Sequence, residues 1–551
     1  MSAAGAKVRG RSVALRVHAT RDGRAALARR AAGVRLLPAV TVALVAGFGV
    51  AVGAYAVLRW ITPTSGAKAA PIDVTKVALT VVAGVGGVVA LVIAYRRQRD
   101  LEQGRFVERF GAAAAQLGAA DVAVRIAGVY AMAGVADESD SMRRQQCIDV
   151  LCGYLRLPYM PELGVNHQTK RVRKRHIHDD TDEEEDHFEY RQNDREVRQT
   201  IVRVIADHLR TTAKGYSWSP SDFDFRTALL EDLDFRNVTF LGTARFDGAT
   251  FAGTTDFRSA TFSRTARFGQ ATFTGSAWFD NVTFTGSAHF GDVAFARPAR
   301  FFGAKFARAA RFGHARFAAD AQFGNTTFYG DAWFDHAAFA ADAKFEYATF
   351  AADARFGDTT FSGNGRFDNV QFAAAQFDRA TCAATLRFVD TTFSVFASFE
   401  RMAFFRSEFL GTMFAGSARF NGATFSGTTR FANAQFARVW FDDTTFSADT
   451  VFEGATFAGI ARFVCSTFSG ITLFEGATFS GGARFDRARF IRPTSFEKAN
   501  FGSGLVSFAN PWQWGPPDPV FDWDEDLSRK PPTVEPRNWP PVSAAPQPST
   551  E

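Results

Sequence analysis

The feature that most restricts how this chain can fold is a phenylalanine that returns twice in every eleven residues. In "ATFTGSAWFDNVTFTGSAHF", residues 271–290, it stands at Phe273, Phe279, Phe284 and Phe290, in steps of six, five and six. The alternation runs unbroken from Phe246 to Phe372, and each of these rings has Ala, Val, Thr or Gly two residues before it. Positions two apart share one face of a strand, whereas a helix needs apolar residues at i, i+3, i+4 and i+7. Each step therefore predicts a short strand with its Phe and its small residue inward and the residue between them outward. The two or three residues left over are rich in Gly, Ser, Asp and Asn and turn a corner. Short strands joined by tight corners wind into a solenoid, with two faces per eleven residues and four faces per coil of about 22. Burial of each ring contributes roughly 1.5–3 kcal/mol, so the phenylalanines read as a core ladder rather than as a stacking site for a ligand.

Upstream, "FDFRTALLEDLDFRNVTF" sets Phe225, Leu230, Phe235 and Phe240 five apart. These residues resemble the pentapeptide-repeat family, whose unit has a central Leu or Phe and a small residue two positions earlier. The resemblance covers about half of the chain, residues 225–508, and implies a right-handed, four-sided β-helix. The six-residue steps depart from strict pentads and leave a coil of 20 or 22 residues open. The expected rod has about twelve or thirteen coils and is ~60 Å long at ~4.8 Å per coil.

The rest of the chain is of a different kind. Residues 1–35 form a basic leader, and residues 36–95 read as a two-helix transmembrane hairpin built from the uncharged runs Leu36–Leu58 and Val77–Tyr95. Gly49 with Gly53, and Gly84, Gly86 and Gly87, give these runs small-residue faces for helix packing. Arginines up to Arg35 before the first run, and Arg96, Arg97 and Arg99 after the second, place both termini in the cytoplasm by the positive-inside rule. The expectation is a multi-pass protein of the cell membrane with a cytoplasmic β-helix. Four cysteines in irregular places fit a reduced setting; Cys382 takes a ladder position between Phe377 and Phe388.

Between hairpin and rod, residues 96–157 show helical spacing, with Asp121 and Ser141 as helix starts and Arg125 as a structural residue. Residues 158–192 read as a solvated charged linker in which a basic run, Lys170–Arg175, precedes an acidic one, Asp179–Asp186. His167, His176, His178 and His187 lie in this linker, but their spacing matches no tetrahedral metal site. Residues 193–212 give an amphipathic helix that caps the open end of the rod, and 509–551 a Pro/Trp-rich tail in which Trp512 and Trp514 fold over the last coil.

No P-loop, G-x-S-x-G, H-E-x-x-H or strand-borne GxGxxG is present, so neither catalytic residues nor cofactors are expected. Some soluble members of the resembling family mimic DNA and bind topoisomerases through a strongly acidic surface. Residues 225–508 hold 28 Lys and Arg against 26 Asp and Glu, a net of +2, which disfavours that alternative. Arg300 and Arg311 belong to a wholly basic stretch, but at eleven residues apart they face opposite sides of a four-faced coil, which disfavours a nucleic-acid partner. Phe396, Phe405 and Trp440 lie off the inward phase where the steps become irregular, and mark an interaction surface. The sequence thus describes a membrane-anchored, non-catalytic scaffold with the lipid bilayer and an unidentified cytoplasmic protein as partners. Self-association through the spans or the rod ends is left open.

Overall fold

The computed structural model describes residues 71–159, 170–177, 182–189, 194–211 and 216–544, with isolated positions between 45 and 60. The chain divides into two compact units, Met1–Glu108 and Arg109–Glu551. The expected membrane hairpin is not supported. The Val77–Tyr95 run is the early part of α1, Pro71–Leu117, a helix of 47 residues that continues unbroken through Arg96, Arg97, Arg99, Asp100 and Glu102. Among the described residues no helix is long and apolar enough to cross a membrane. This overturns the multi-pass assignment to the cell membrane: the apolar run is not a span closed off by its charged flank but one stretch of a longer charged helix. Leu36–Leu58 and the basic leader fall largely outside the described residues.

From Phe223 onward the chain winds as a parallel β-solenoid. Ala266 pairs with Ala288 and Ala288 with Ala310, so one coil takes 22 residues. Each coil contributes four short strands to two sheets. The first sheet holds strands such as Thr261–Phe262 and Ala266–Arg267, the second Thr272–Phe273 and Ala277–Trp278. The coil shortens to 21 where five-residue steps follow one another: Phe361 pairs with Cys382, and Phe372 with Phe393. The five-residue corners are tight enough to need a left-handed residue, which recurs every eleven positions at Ser259, Gln270, Asn281 and Asp292.

Stacking of rings between coils sets this geometry. Phe323 is fully buried and lies parallel to Phe301 below and Phe345 above, each with centroids 4.8 Å away. Phe312 and Phe334 present their edges to it at 5.5 and 5.4 Å. Parallel offset contacts along the rod and edge contacts across it are both favourable arrangements of aromatic quadrupoles. Cys382 interrupts one column between Phe361 and Phe404, buried as expected. The missing volume is made up by Leu386, which stands where other coils carry Ala and fills the space above Gly365; a Cβ on Gly365 would run into its Cδ1. Burial pushes the Cys382 thiol up to about 11.

Both ends of the rod are covered. At the start, α2 (Val122–Asp137), α3 (Ser141–Arg156) and α4 (Asp194–Arg210) pack as a helical cap, where the sequence reading had assigned capping to the last helix alone. The Gln145 amide accepts from the Asp222 N–H at 2.9 Å and donates to the Asp222 carbonyl at 2.8 Å. Arg210 donates to the carbonyls of Asp234 and Arg236, both at 2.8 Å. These contacts occupy backbone groups that an uncovered sheet edge would leave open. Fully buried Arg125 donates to Asp194 at 2.6 Å and the Tyr154 hydroxyl to the same carboxylate at 2.5 Å, which gives Arg125 the structural role expected of it.

Residues 170–177 and 182–189 are not the loop expected of a solvated linker. Here β1 (Lys170–Ile177) and β2 (Asp182–Glu189) pair antiparallel, with Arg173 opposite Asp186 and Lys174 opposite Glu185 in the register. Blocks of opposite charge favour such cross-strand pairing. The C-terminal segment also packs on the rod. Trp514 takes the rung after Phe490, Phe521 stacks on Phe496 at 4.8 Å, and Trp539 sets its edge against Phe508 at 5.9 Å. Trp512, by contrast, remains partly exposed beneath Arg489.

Two substitutions test this core by urea unfolding followed with far-UV circular dichroism. Phe323→Ala is expected to cost about 3–5 kcal/mol. Cys382→Phe, although it restores the repeat, is expected to destabilise by about 1–3 kcal/mol because Leu386 already fills the space.

Candidate functional site

The outward residue of each strand repeats in register with the coil, so surface chemistry is arranged in columns of residues 21 or 22 apart. On the first sheet Arg245, Arg267, His289, Arg311, Trp333 and Arg355 are successive partners in one column. Further along, the same column passes through Gln376, Ser398, Arg419 and Trp440. On the second sheet the corresponding column holds Trp278, Arg300, Gln322, Lys344, Arg366 and Arg387.

The two columns differ in how their cations are matched. On the second sheet Arg300 meets Asp280 at 3.2 Å, Lys344 meets Asp320 at 2.8 Å, and Arg387 meets Asp368 and Glu408 at 3.5 and 3.4 Å. On the first sheet Arg311 lies over the Trp333 ring at 4.5 Å and Arg355 over the same ring at 5.6 Å, a cation–π arrangement with no carboxylate in it. Burial, followed by the charges of Arg311 and Arg267, holds His289 below its ordinary titration range, against a weaker opposing pull from Asp247.

The residues singled out from sequence separate into groups. Phe396 and Trp440, both half-buried, come together on the first sheet around Arg419, whose guanidinium lies 5.3 Å from one ring and 6.0 Å from the other. Val395, 65% exposed, belongs to the same strand as Phe396, and Met413 is the partner of Thr392 at that strand's start. Phe405 is 57% exposed but lies on the second sheet, apart from this patch. Arg300 and Arg311 occupy opposite sheets, as their spacing requires. Arg311 is five pairing steps from Arg419, so it is no part of the aromatic patch. Val395 and Met413 were missed in the sequence; their signal is the same break in step that exposed Phe396. Among the described residues no group of three or more His, Cys, Asp or Glu is placed to hold a metal ion.

A family model described as pentapeptide repeats (nine copies) matches residues 235–283, 279–327, 323–371, 409–456, 452–500 and 474–510. This part of the chain belongs to the pentapeptide-repeat family. No curated protein and no solved structure matches the chain. The stretch between the matched blocks, residues 372–408, contains the Cys382–Leu386 exchange of volume and also Val395, Phe396 and Phe405. Exposed Val395 and Phe405 thus fall where the repeat departs from the family pattern.

Arg311→Ala is expected to raise the titration midpoint of His289 towards its ordinary value, read from its imidazole NMR signals. Because the folded value lies below the unfolded one, stability contributed by this group is complete at neutral pH and is lost as the pH falls through the folded midpoint.

Proposed function

We propose that this chain is a non-enzymatic interaction scaffold whose pentapeptide-repeat rod holds a partner protein at the patch around Arg419. The observation that carries this reading is the placing of the Phe396 and Trp440 rings about Arg419, with exposed Val395 next to Phe396 on the same strand. An arginine framed by aromatic and aliphatic side chains is the composition that dominates protein–protein binding energy. The rod supplies rigidity: every coil is stacked on the last, so the patch is held in one shape before any partner arrives, and little conformational entropy is lost on binding.

A DNA-mimicking topoisomerase binder is the competing reading for a rod of this family. It requires a dominantly negative surface, whereas residues 225–508 carry a net charge of +2 and the first-sheet column is lined with arginine.

The test is affinity recovery of partner protein by the full chain and by the double variant Phe396→Ala/Trp440→Ala. Recovery of a protein by the full chain and a drop of about tenfold in the variant, with the variant still folded by far-UV circular dichroism, is the expected result. Equal recovery by both would remove the patch from the account.

A further inference from the structure

Three successive coils carry on their first-sheet side an excess of positive charge that the fold does not use. Residues 261–270, 283–292 and 305–314 contain Arg264, Arg267, Lys305, Arg308 and Arg311 against a single carboxylate, Asp292, together with His289 and His314. All five cations are exposed. Arg267 reaches down to Asp247 at 3.1 Å, while Arg264, Lys305, Arg308 and Arg311 have no ion-pair partner among the described residues.

The register brings these side chains together. Arg267, His289 and Arg311 are consecutive in one column, and Lys305 follows Thr283 in the neighbouring one. At the corner between them Gly286 sits against the Arg264 backbone, closely enough that a Cβ would collide with it. Arg308 follows one coil later. With no side chain at Gly286, the corner is open between two guanidinium groups about two coils, or ~10 Å, apart. Burial first, and then the charges of Arg311 and Arg267, hold His289 at the centre of this face below its ordinary titration range. The eleven-residue spacing that divides Arg300 from Arg311 concealed the cluster, because its members come from alternate half-coils.

The shape of the face selects among polyanions. Single strands are held by a groove with several free aromatic faces, but here the Trp333 ring is covered by Arg311 and Arg355, and exposed Tyr329 is a lone ring one coil beyond these stretches. No exposed large apolar residue falls within these stretches to enter a bilayer. Their strands are paired on both sides, leaving no edge for an added peptide strand. We propose that this face binds the sugar-phosphate backbone of double-stranded nucleic acid without reading its sequence. It is a second surface, distinct from the Arg419 patch, and does not depend on the protein-scaffold reading.

The experiment is fluorescence anisotropy of a labelled mixed-sequence duplex titrated with the full chain over a series of salt concentrations. Arg264→Ala/Arg308→Ala/Arg311→Ala is expected to bind about tenfold or more weakly and to flatten the log K against log salt slope by about two to three, because each lost phosphate contact releases roughly one counterion fewer. Arg366→Ala/Arg387→Ala/Arg430→Ala removes the same charge from the second sheet and is expected to stay within about twofold of the unaltered chain, its cations being already matched. Lys305→Gln/Arg308→Gln provides a milder variant, and the melting temperature of each protein establishes that it is folded. No salt-dependent binding by the unaltered chain, or equal loss in both triple variants, overturns the proposal. Comparable binding of the same face to anionic phospholipid vesicles, to poly-glutamate or to single-stranded oligonucleotide overturns the assignment to a duplex.

Discussion

Ring-on-ring stacking between successive coils is the contact on which the rest of this structure depends. Parallel strands stand about 4.8 Å apart, and the Phe301, Phe323 and Phe345 centroids keep that spacing. A hydrogen-bonded ladder and a column of rings thus repeat with one period, and neither must distort to suit the other. The same match limits variation. Where Cys382 replaces a ring, the neighbouring column also changes, with Leu386 filling the space over Gly365, in keeping with an interior packed at crystal-like density.

A core so uniform hands chemical variety to the surface. Since inward positions are fixed as Phe and small residues, each coil has about one freely chosen outward residue per strand, and register turns those choices into columns. On the second sheet carboxylates are interleaved with cations, giving exposed pairs that contribute little to stability but cancel the local field. On the first sheet, from His289 to Arg355, arginines alternate with tryptophan and histidine and have no carboxylate partner among the described residues. One architecture therefore carries matched and unmatched cations on its two sides without any change in the backbone.

How much of this was legible in the sequence follows from the range of each interaction. Period and inward phase are local, so the four-faced coil, the burial of Cys382 and the opposed faces of Arg300 and Arg311 were all readable from steps of five and six. The columns were not, because Arg267 and Arg311 become neighbours only after a 22-residue register is known. The charged segment was misread because its basic and acidic halves were weighed as neutralising runs, whereas pairing Arg173 with Asp186 makes them two strands. The Val77–Tyr95 run was judged by composition within its own limits, while the helix that contains it extends to Leu117. At the tail, the covering role of Trp514 was legible from its place just after the last repeat, whereas Phe521 and Trp539 join that lid only against the last rungs of the ladder.

The two sheets also give the rod a phase. Because successive half-coils of eleven residues are interchangeable in the core, gaining or losing one such half-coil would preserve every buried contact type yet rotate all that follows by half a revolution. Epitopes downstream would then exchange sides relative to those upstream. A change of a whole coil would alter only their separation. Insertions in such a gene thus act as a digital control on geometry, flipping or spacing binding surfaces while leaving the interior indifferent.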